Sequence, residues 1–403
     1  MDQVSVGVLV QAVSRDRVDA AIDACGVRER RRGGKLPAHV AVYLTMGLCL
    51  FPDDPQDEVA GKVTGSLSAF GVWDAGWAAP TSSAVTQARK RIGPAVMRAV
   101  FEQVAAPVAE YDTAGGFLRG WRVMAIDGFS LDVQDTPENA AEFGYTTKTA
   151  GGSPFPKARV VAVAECGTHA MLDAEIGPFA TGEKTLAVPL LNRLGADWLL
   201  TADRNFYGFP AWRIAADTGA ALCWRAPGQL GLPMLTPLDD GTYLSVVIDS
   251  KVQGGRREQI LATARAGGQP DPGAARMVRV VEYDVPDRGD PARREVIRLI
   301  TTILDPRQAT AAELARAYHE RWEEETGIDQ IKTHLRGSGR VLRSKSPDLV
   351  YAEIWGYLLV HYAISALIGR AATGAGLDPD RISYMRTLRL VRRSATGTAA
   401  FPP

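Results

Sequence analysis

The chain has 403 residues, enough for two or three compact units with a substantial core. Hydrophobic residues make up 46% and charged residues 23%, which excludes a disordered or fibrous protein. Lys plus Arg equals Asp plus Glu at 46 each, so overall charge does not recruit nucleic acid or an anionic membrane, and only local clustering of basic residues speaks for phosphate binding.

The opening segment, MDQVSVGVLVQAVSRD, has no basic n-region and mixes acidic with apolar residues, unlike a secretion signal, so the chain is expected in the cytoplasm. Apolar spacing and punctuation predict helices over residues 14–24, 37–51 and 56–64. After the turn-rich AGWAAPTSS, Thr81 reads as the N-cap of SSAVTQARKRI, and Gly93-Pro94 restarts a helix through AVMRAVFEQVAAPVAEY, edged by Arg89, Lys90, Arg91 and Arg98. Residues 1–112 are thus expected to form a helical N-terminal domain that binds DNA, although an ordinary helical bundle with a charged rim fits the same pattern. The apolar runs at 40–51 and 355–369 fall short of the roughly 20 residues that span a bilayer and read as buried helices. Cys25, Cys49, Cys166 and Cys223 lie far apart without C-x-x-C pairing, so free buried thiols are expected rather than a zinc site or a disulfide framework.

From Trp121 the texture changes to short β-rich runs at 121–126, 158–165 and 169–176, a helical stretch (TLAVPLLNRLG), a strand at 196–202, a helix (FPAWRIAADTG) and a strand (AALCWRA). This order predicts a mixed α/β fold with a ribonuclease-H-like core, its first part over residues 118–226. Residues 227–308 are rich in Gly and Pro with alternating strand-like runs, a β-rich insertion. Thr310 then caps a single long helix, AAELARAYHERWEEETGIDQIKTHL, which with a final apolar helix forms the second part of the core over 309–372, and a basic tail covers 373–403. Basic clusters fall at 28–35, 89–91, 251–257, 335–345 and 386–393; each alone reads as a solvated face.

Asp127 follows the apolar run VMAI and Asp203 ends WLLTA, so both are expected to project from strand ends, fixed in backbone and facing a cleft. A lone aspartate there is more often a turn-former, and two make a pattern. On the long helix, Tyr318, Arg321, Glu325 and Lys332 recur close to whole turns and would share one stripe. By spacing alone, an i,i+4 surface ion pair between Arg321 and Glu325 is the commoner reading.

The string YHERWEEETGIDQIK carries the Tyr-x2-Arg-x3-Glu-x6-Lys signature and resembles the insertion-element-four family of DDE transposases. AIDGFSLDVQDTPENAAEFG is similar to that family's first Asp-Gly segment and LLTADRNFYGFPAW to its Asp-Arg-x-Phe run, with Asn205 where glycine is common. RRGGKLPAHVAVYLTMGLCLFPDDPQDEVAGKV and PTSSAVTQARKRIGPAVMRAVFEQVAAP resemble its N-terminal domain. The resemblance implies Asp127, Asp203 and Glu325 as catalytic residues and ligands of two Mg²⁺ or Mn²⁺ ions, with no small-molecule cofactor. It implies Tyr318, Arg321, Lys332 and Arg204 as DNA-phosphate contacts. It further implies cut-and-paste transposition on double-stranded DNA, both terminal inverted repeats and target, by a homodimer in a paired-end complex, bacterial and nucleoid-associated, with no membrane partner. His169, His319, His334 and His361 read as structural, and Trp224 as an aromatic available to stack on an extruded base.

Two other readings use the same residues: a metal-dependent nuclease that does not join ends, and a DNA-binding protein that has lost catalysis. Paired carboxylates for glycoside hydrolysis account for Asp127 and Glu325 but leave the Tyr, Arg and Lys stripe unexplained.

Overall fold

The computed structural model describes residues 11–27, 36–68, 80–146, 152–286 and 294–396. Four helices open the chain: α1 (Arg15–Ala24), α2 (Ala38–Leu50), α3 (Gln56–Ser68) and α4 (Ser82–Val104). Every residue of α2 is buried, as an apolar helix without a polar face must be. In α4 the Thr81 hydroxyl accepts from the Ala84 N–H, and Gly93, at φ +67°, interrupts the helix before Pro94 restarts it.

Next come β1 (Phe117–Leu118), β2 (Trp121–Asp132), α5 (Pro137–Phe143), β3 (Lys157–Glu165), β4 (Met171–Pro178), α6 (Glu183–Leu191), β5 (Trp198–Ala202), α7 (Phe209–Asp217) and β6 (Ala221–Arg225). The chain continues through β7 (Thr236–Pro237), β8 (Tyr243–Ile248), α8 (Gly254–Arg265), β9 (Ala275–Pro286) and β10 (Arg294–Thr301). The strands form one sheet in the order β4-β3-β2-β5-β6-β10-β9-β8-β7, with β1 paired to β2. The β2, β3 and β4 strands are antiparallel, whereas β5 and β6 run parallel to β2, the ribonuclease-H-like arrangement. Strands from 227 onward extend this sheet without a break, because β10 pairs antiparallel with β6 from Leu299↔Arg225 to Thr301↔Cys223. Helix α8, absent from the sequence reading, packs there on β8 through Ile260 and Ala264.

The expected single helix over 311–335 is instead three pieces: α9 (Ala311–His319), α10 (Trp322–Asp329) and a π-wound segment, Gln330–Leu335. Between α9 and α10 the chain tightens into i→i+3 bonds, Arg321 N–H to Tyr318 O and Glu324 N–H to Arg321 O. The helix α11 (Pro347–Ala375), a 3₁₀ turn (Pro379–Arg381) and α12 (Tyr384–Thr396) follow. Helix α11 is long and apolar enough to cross a membrane, yet 94% of its most apolar stretch is buried within the protein. It packs against α2 and α4, where Cys49 lies against Gly356 and donates to the Glu353 carbonyl. One apolar core therefore runs from the N-terminal helices through α11 to one face of the sheet, while α9 covers the other face over Val123, Ala125 and Leu199.

Several basic residues expected at the surface are drawn into this packing. Arg89 is buried and donates to Ser344 Oγ and Leu349 O; Arg343 donates to Pro52 O, and Arg392 to Leu50 O and Leu335 O. These guanidiniums satisfy carbonyls at helix ends and loops, tying the N-terminal helices to the C-terminal third. The 28–35 cluster lies outside the described residues. Cys49, Cys166 and Cys223 are free and buried, but Cys25, at the end of α1, is exposed rather than buried.

Candidate active site

Asp127 is not at a strand end. Strand β2 continues to Asp132, paired with β3 from Met124 onward, while pairing with β5 stops at Ile126↔Ala202. Asp127 thus stands where the neighbouring parallel strand leaves the sheet, and Asp203 is the first residue beyond that strand. Adjacent parallel strands lie roughly 4.8 Å apart, so the register sets the two aspartates side by side. Strand alternation puts Asp127 on the face of Val123 and Ala125, the face covered by α9. Each aspartate accepts the next residue's N–H at 2.7 Å, Gly128 for Asp127 and Arg204 for Asp203.

Arg321 joins the second part of the core to the first. Only 6% exposed, its guanidinium lies between two carboxylates, Nη1 3.6 Å from Asp127 Oδ2 and Nη2 3.1 Å from Glu325 Oε1. The Tyr318 ring lies 5.7 Å from the same guanidinium. Burial raises the Tyr318 phenol to about 12, with the neighbouring Asp203 charge adding to the effect. Burial also raises the Asp127 carboxyl, assisted by Glu325 and Glu183 and opposed by the Gly128 N–H and Arg321.

Asp127, Asp203, Tyr318, Arg321 and Glu325 therefore meet in one region, although the whole-turn stripe is broken by the tight turn before α10 and by the π-winding around Lys332. Lys332 makes no ion pair among the described residues. Arg204 is exposed and lines a cavity of about 730 Å³ with Lys184, Asn205, Tyr207 and Arg257. Trp224 is fully buried, edge-on to Trp212 at 5.3 Å, so it cannot stack on an extruded base without unpacking the core.

Sequence reasoning missed two carboxylates here. Glu183, at the start of α6, lies against β2, and a Cβ at Gly128 would stand 2.8 Å from its Cγ and Cδ, so the glycine makes room for it. Glu324 is 1% exposed, and neither of its oxygens makes a well-formed hydrogen bond. Burial, then the Asp127 charge, raises its carboxyl well above the usual range. The run Glu323-Glu324-Glu325 was the only sequence signal for it; Glu183 had none.

The donor set suits a hard divalent cation. Asp127, Asp203 and Glu325 offer only carboxylate oxygens, and the guanidinium between Asp127 and Glu325 shows that the site draws positive charge. A separate cluster joins His169 to Glu323 and Asp380. Burial lowers the His169 pKa, but Asp380 and Glu323 outweigh it and raise the imidazole to about 9. His361 is buried and kept neutral, its pKa lowered to about 3 by burial and then by His169.

Residues 3–102 match the family "Insertion element 4 transposase N-terminal", and residues 119–362 match "Transposase DDE domain". The chain is 27% identical over 363 residues to the transposase InsG for insertion sequence element IS4 of Escherichia coli (strain K12), covering 90% of this chain and 77% of that protein. It is 30% identical over 202 residues to the putative transposase InsZ of the same organism, covering 50% of this chain and 63% of that protein. A cryo-EM structure of the piggyBac transposase synaptic complex with hairpin DNA aligns at a TM-score of 0.45 and 9% identity, over 97% of this chain and 80% of that one, a likeness too weak to inform the assignment.

Proposed function

The chain belongs to the insertion element 4 family of DDE transposases, a divalent-metal-dependent DNA transposase by that membership, and we propose that Asp127, Asp203 and Glu325 are its catalytic carboxylates. The observation that carries this reading is the Arg321 guanidinium held between Asp127 and Glu325 beside the end of β5, where Asp203 emerges. In this reading the three carboxylates hold two Mg²⁺ or Mn²⁺ ions, which supply Lewis-acid stabilisation to the attacking and departing oxygens of an in-line phosphodiester displacement.

The chain's own residues position the DNA. With Asp127 and Glu325 engaged by cations, Arg321 would be free to contact a DNA phosphate bidentately. The Tyr318 phenol, protonated at any physiological pH, donates to a backbone oxygen. Lys332 and Arg204 add point charges, and the cavity lined by Lys184, Arg204 and Arg257 offers a basic path beside Asp203. The product is cut-and-paste movement of an insertion sequence, its inverted-repeat ends bridged by a homodimer acting in the cytoplasm. The N-terminal domain (1–112) contributes DNA binding, the segment 227–308 is the insertion, and 118–226 with 309–372 form the catalytic core.

A strand-transfer assay with element ends, target plasmid and Mg²⁺ or Mn²⁺ tests the reading. Cleaved ends joined to target by the native chain and not by Asp203→Ala are expected. Cleavage without joining would make the protein a nuclease, and equal activity in Asp203→Ala would remove the site assignment.

A further inference from the structure

The cluster of His169, Glu323 and Asp380 stands apart from the carboxylates assigned to DNA cleavage, because Glu323 and Glu325, two residues apart on α10, do not share a helix face. It joins three elements: the turn between β3 and β4, helix α10, and the 3₁₀ turn ahead of α12. Nε2 of His169 lies 3.1 Å from Glu323 Oε2 and 3.2 Å from Asp380 Oδ1, and the three donor atoms fall within 4.8 Å of one another. Such spacings suit the edges of a small coordination polyhedron, since a tetrahedron with bonds of about 2.0–2.1 Å has edges of about 3.3 Å.

Each donor is fixed locally. His169 sits at φ +58°, a left-handed conformation that L side chains adopt infrequently, in a turn closed by the Glu165 N–H donating to Ala170 O. Asp380 is set by its N–H donating to Asp378 Oδ1 at 3.0 Å. Behind the cluster, His169 Nδ1 faces the Gln330 amide nitrogen at 3.1 Å, and the Gln330 amide oxygen faces His361 Nε2 at 2.9 Å.

Two further observations point to a ligand. A cavity of about 370 Å³ opens on all three residues, and two of its buried lining hydroxyls, Ser365 Oγ and Tyr384 Oη, have no hydrogen-bond partner. The charge is also unbalanced. Glu323 and Asp380 share one imidazole, with Glu320 and Asp378 close enough for the four carboxylates to repel one another, and among the described residues neither Glu323 nor Asp380 pairs with a lysine or arginine.

We propose that His169 Nε2, Glu323 and Asp380 bind one first-row transition-metal dication of the Zn²⁺ type, tying helix α10 to the C-terminal turn. The imidazole donor favours Zn²⁺ over Mg²⁺, and the open side faces the cavity and its two hydroxyls. Coordination needs the Nε2 lone pair, so Nδ1 carries the ring proton and the Gln330 amide turns its oxygen to accept it. The Gln330 N–H₂ then donates to His361 Nε2, and the His361 proton moves to Nδ1.

The test is calorimetric titration of Zn²⁺ into the full-length protein in excess Mg²⁺, which keeps hard-oxygen sites occupied. One equivalent is expected to bind, at least tenfold more weakly in Asp380→Asn and several-fold more tightly in Gln330→Glu, whose carboxylate is a stronger acceptor for Nδ1–H. Unchanged affinity in folded Asp380→Asn, or no Zn²⁺ bound by the parent, overturns the proposal. Side-chain ¹⁵N NMR separates ligand loss from misfolding: Zn²⁺ should shift Nε2 of one histidine in the parent chain, a signal missing from His169→Asn. The absence of any histidine nitrogen shift overturns the proposal equally.

Discussion

Replacing Arg321 with methionine removes the cation of the candidate active site while keeping most of its volume, so the result reports charge rather than a cavity. At separations of 3.6 and 3.1 Å, an effective dielectric near 20 gives about 5 kcal/mol per contact before desolvation. The Asp127 and Glu325 side chains are 25% and 48% exposed, which brings the net loss in metal-free Arg321→Met to roughly 1–3 kcal/mol. A dication meeting the same carboxylates no longer feels the guanidinium, a repulsion of about 1–2 kcal/mol at about 5 Å in a solvated cleft, so its affinity rises about tenfold. Thermal unfolding at increasing Mn²⁺ reads both effects, because a ligand of the folded state raises the midpoint with its occupancy. Arg321→Met should start below the parent and close the gap as Mn²⁺ rises, even as DNA cleavage falls. A gap that stays constant or widens would refute the reasoning.

Glu324→Gln tests the buried carboxyl. A raised acid keeps its proton in the folded chain where the unfolded chain has lost it, so its cost grows as pH rises from about 4.5 towards the folded pKa, at up to about 1.4 kcal/mol per pH unit. Urea denaturation should find the variant matching the parent near about pH 4 and exceeding it at about pH 8; a pH-independent difference contradicts this. His169 has the opposite sign, since a raised base stabilises fully below about 6.5 and loses that contribution as pH rises through about 9. In chelator, the parent should therefore lose on the order of 2–3 kcal/mol relative to His169→Asn across that window, and parallel pH profiles would contradict the pairing of His169 with Glu323 and Asp380. Arg204→Ala and Arg257→Ala should weaken DNA binding uniformly across sequences and each lower the salt slope by about 1, which binding isotherms at several salt concentrations check.

What was legible in the sequence was whatever local chemistry dictates. The Thr310 cap, the Gly93-Pro94 break and the predominantly apolar α2 form as their residues require. The order of strands and helices from Trp121 to Arg225 is enough to write the core sheet. Long-range pairing was not legible. Whether β2 stops at Asp127 or runs on to Asp132 depends on its pairing with β3, which continues after β5 has left, and the sequence of β2 carries no mark of that. The helix over 311–335 has an unbroken propensity, yet it tightens before α10 and unwinds to π at Gln330, changes fixed by tertiary packing around buried Arg321 and Gln330. Arg89, Arg343 and Arg392 look like surface charge in a string of letters and become buried or half-buried donors only once distant carbonyls arrive. Glu183 and the His169 cluster belong to no motif, because each unites segments that only the fold brings together.

Fe²⁺-directed cleavage of the polypeptide, with ascorbate and peroxide, tests most directly whether Asp127, Asp203 and Glu325 share bound cations. Hydroxyl radicals from iron at that centre should cut the chain near residues 127 and 203 as well as near 325, and excess Mg²⁺ or the single change Asp203→Ala should suppress the cuts at 127 and 203 together. Cuts confined to one of those positions, or a cut at 127 that persists in Asp203→Ala, would mean that the three carboxylates do not form one metal centre.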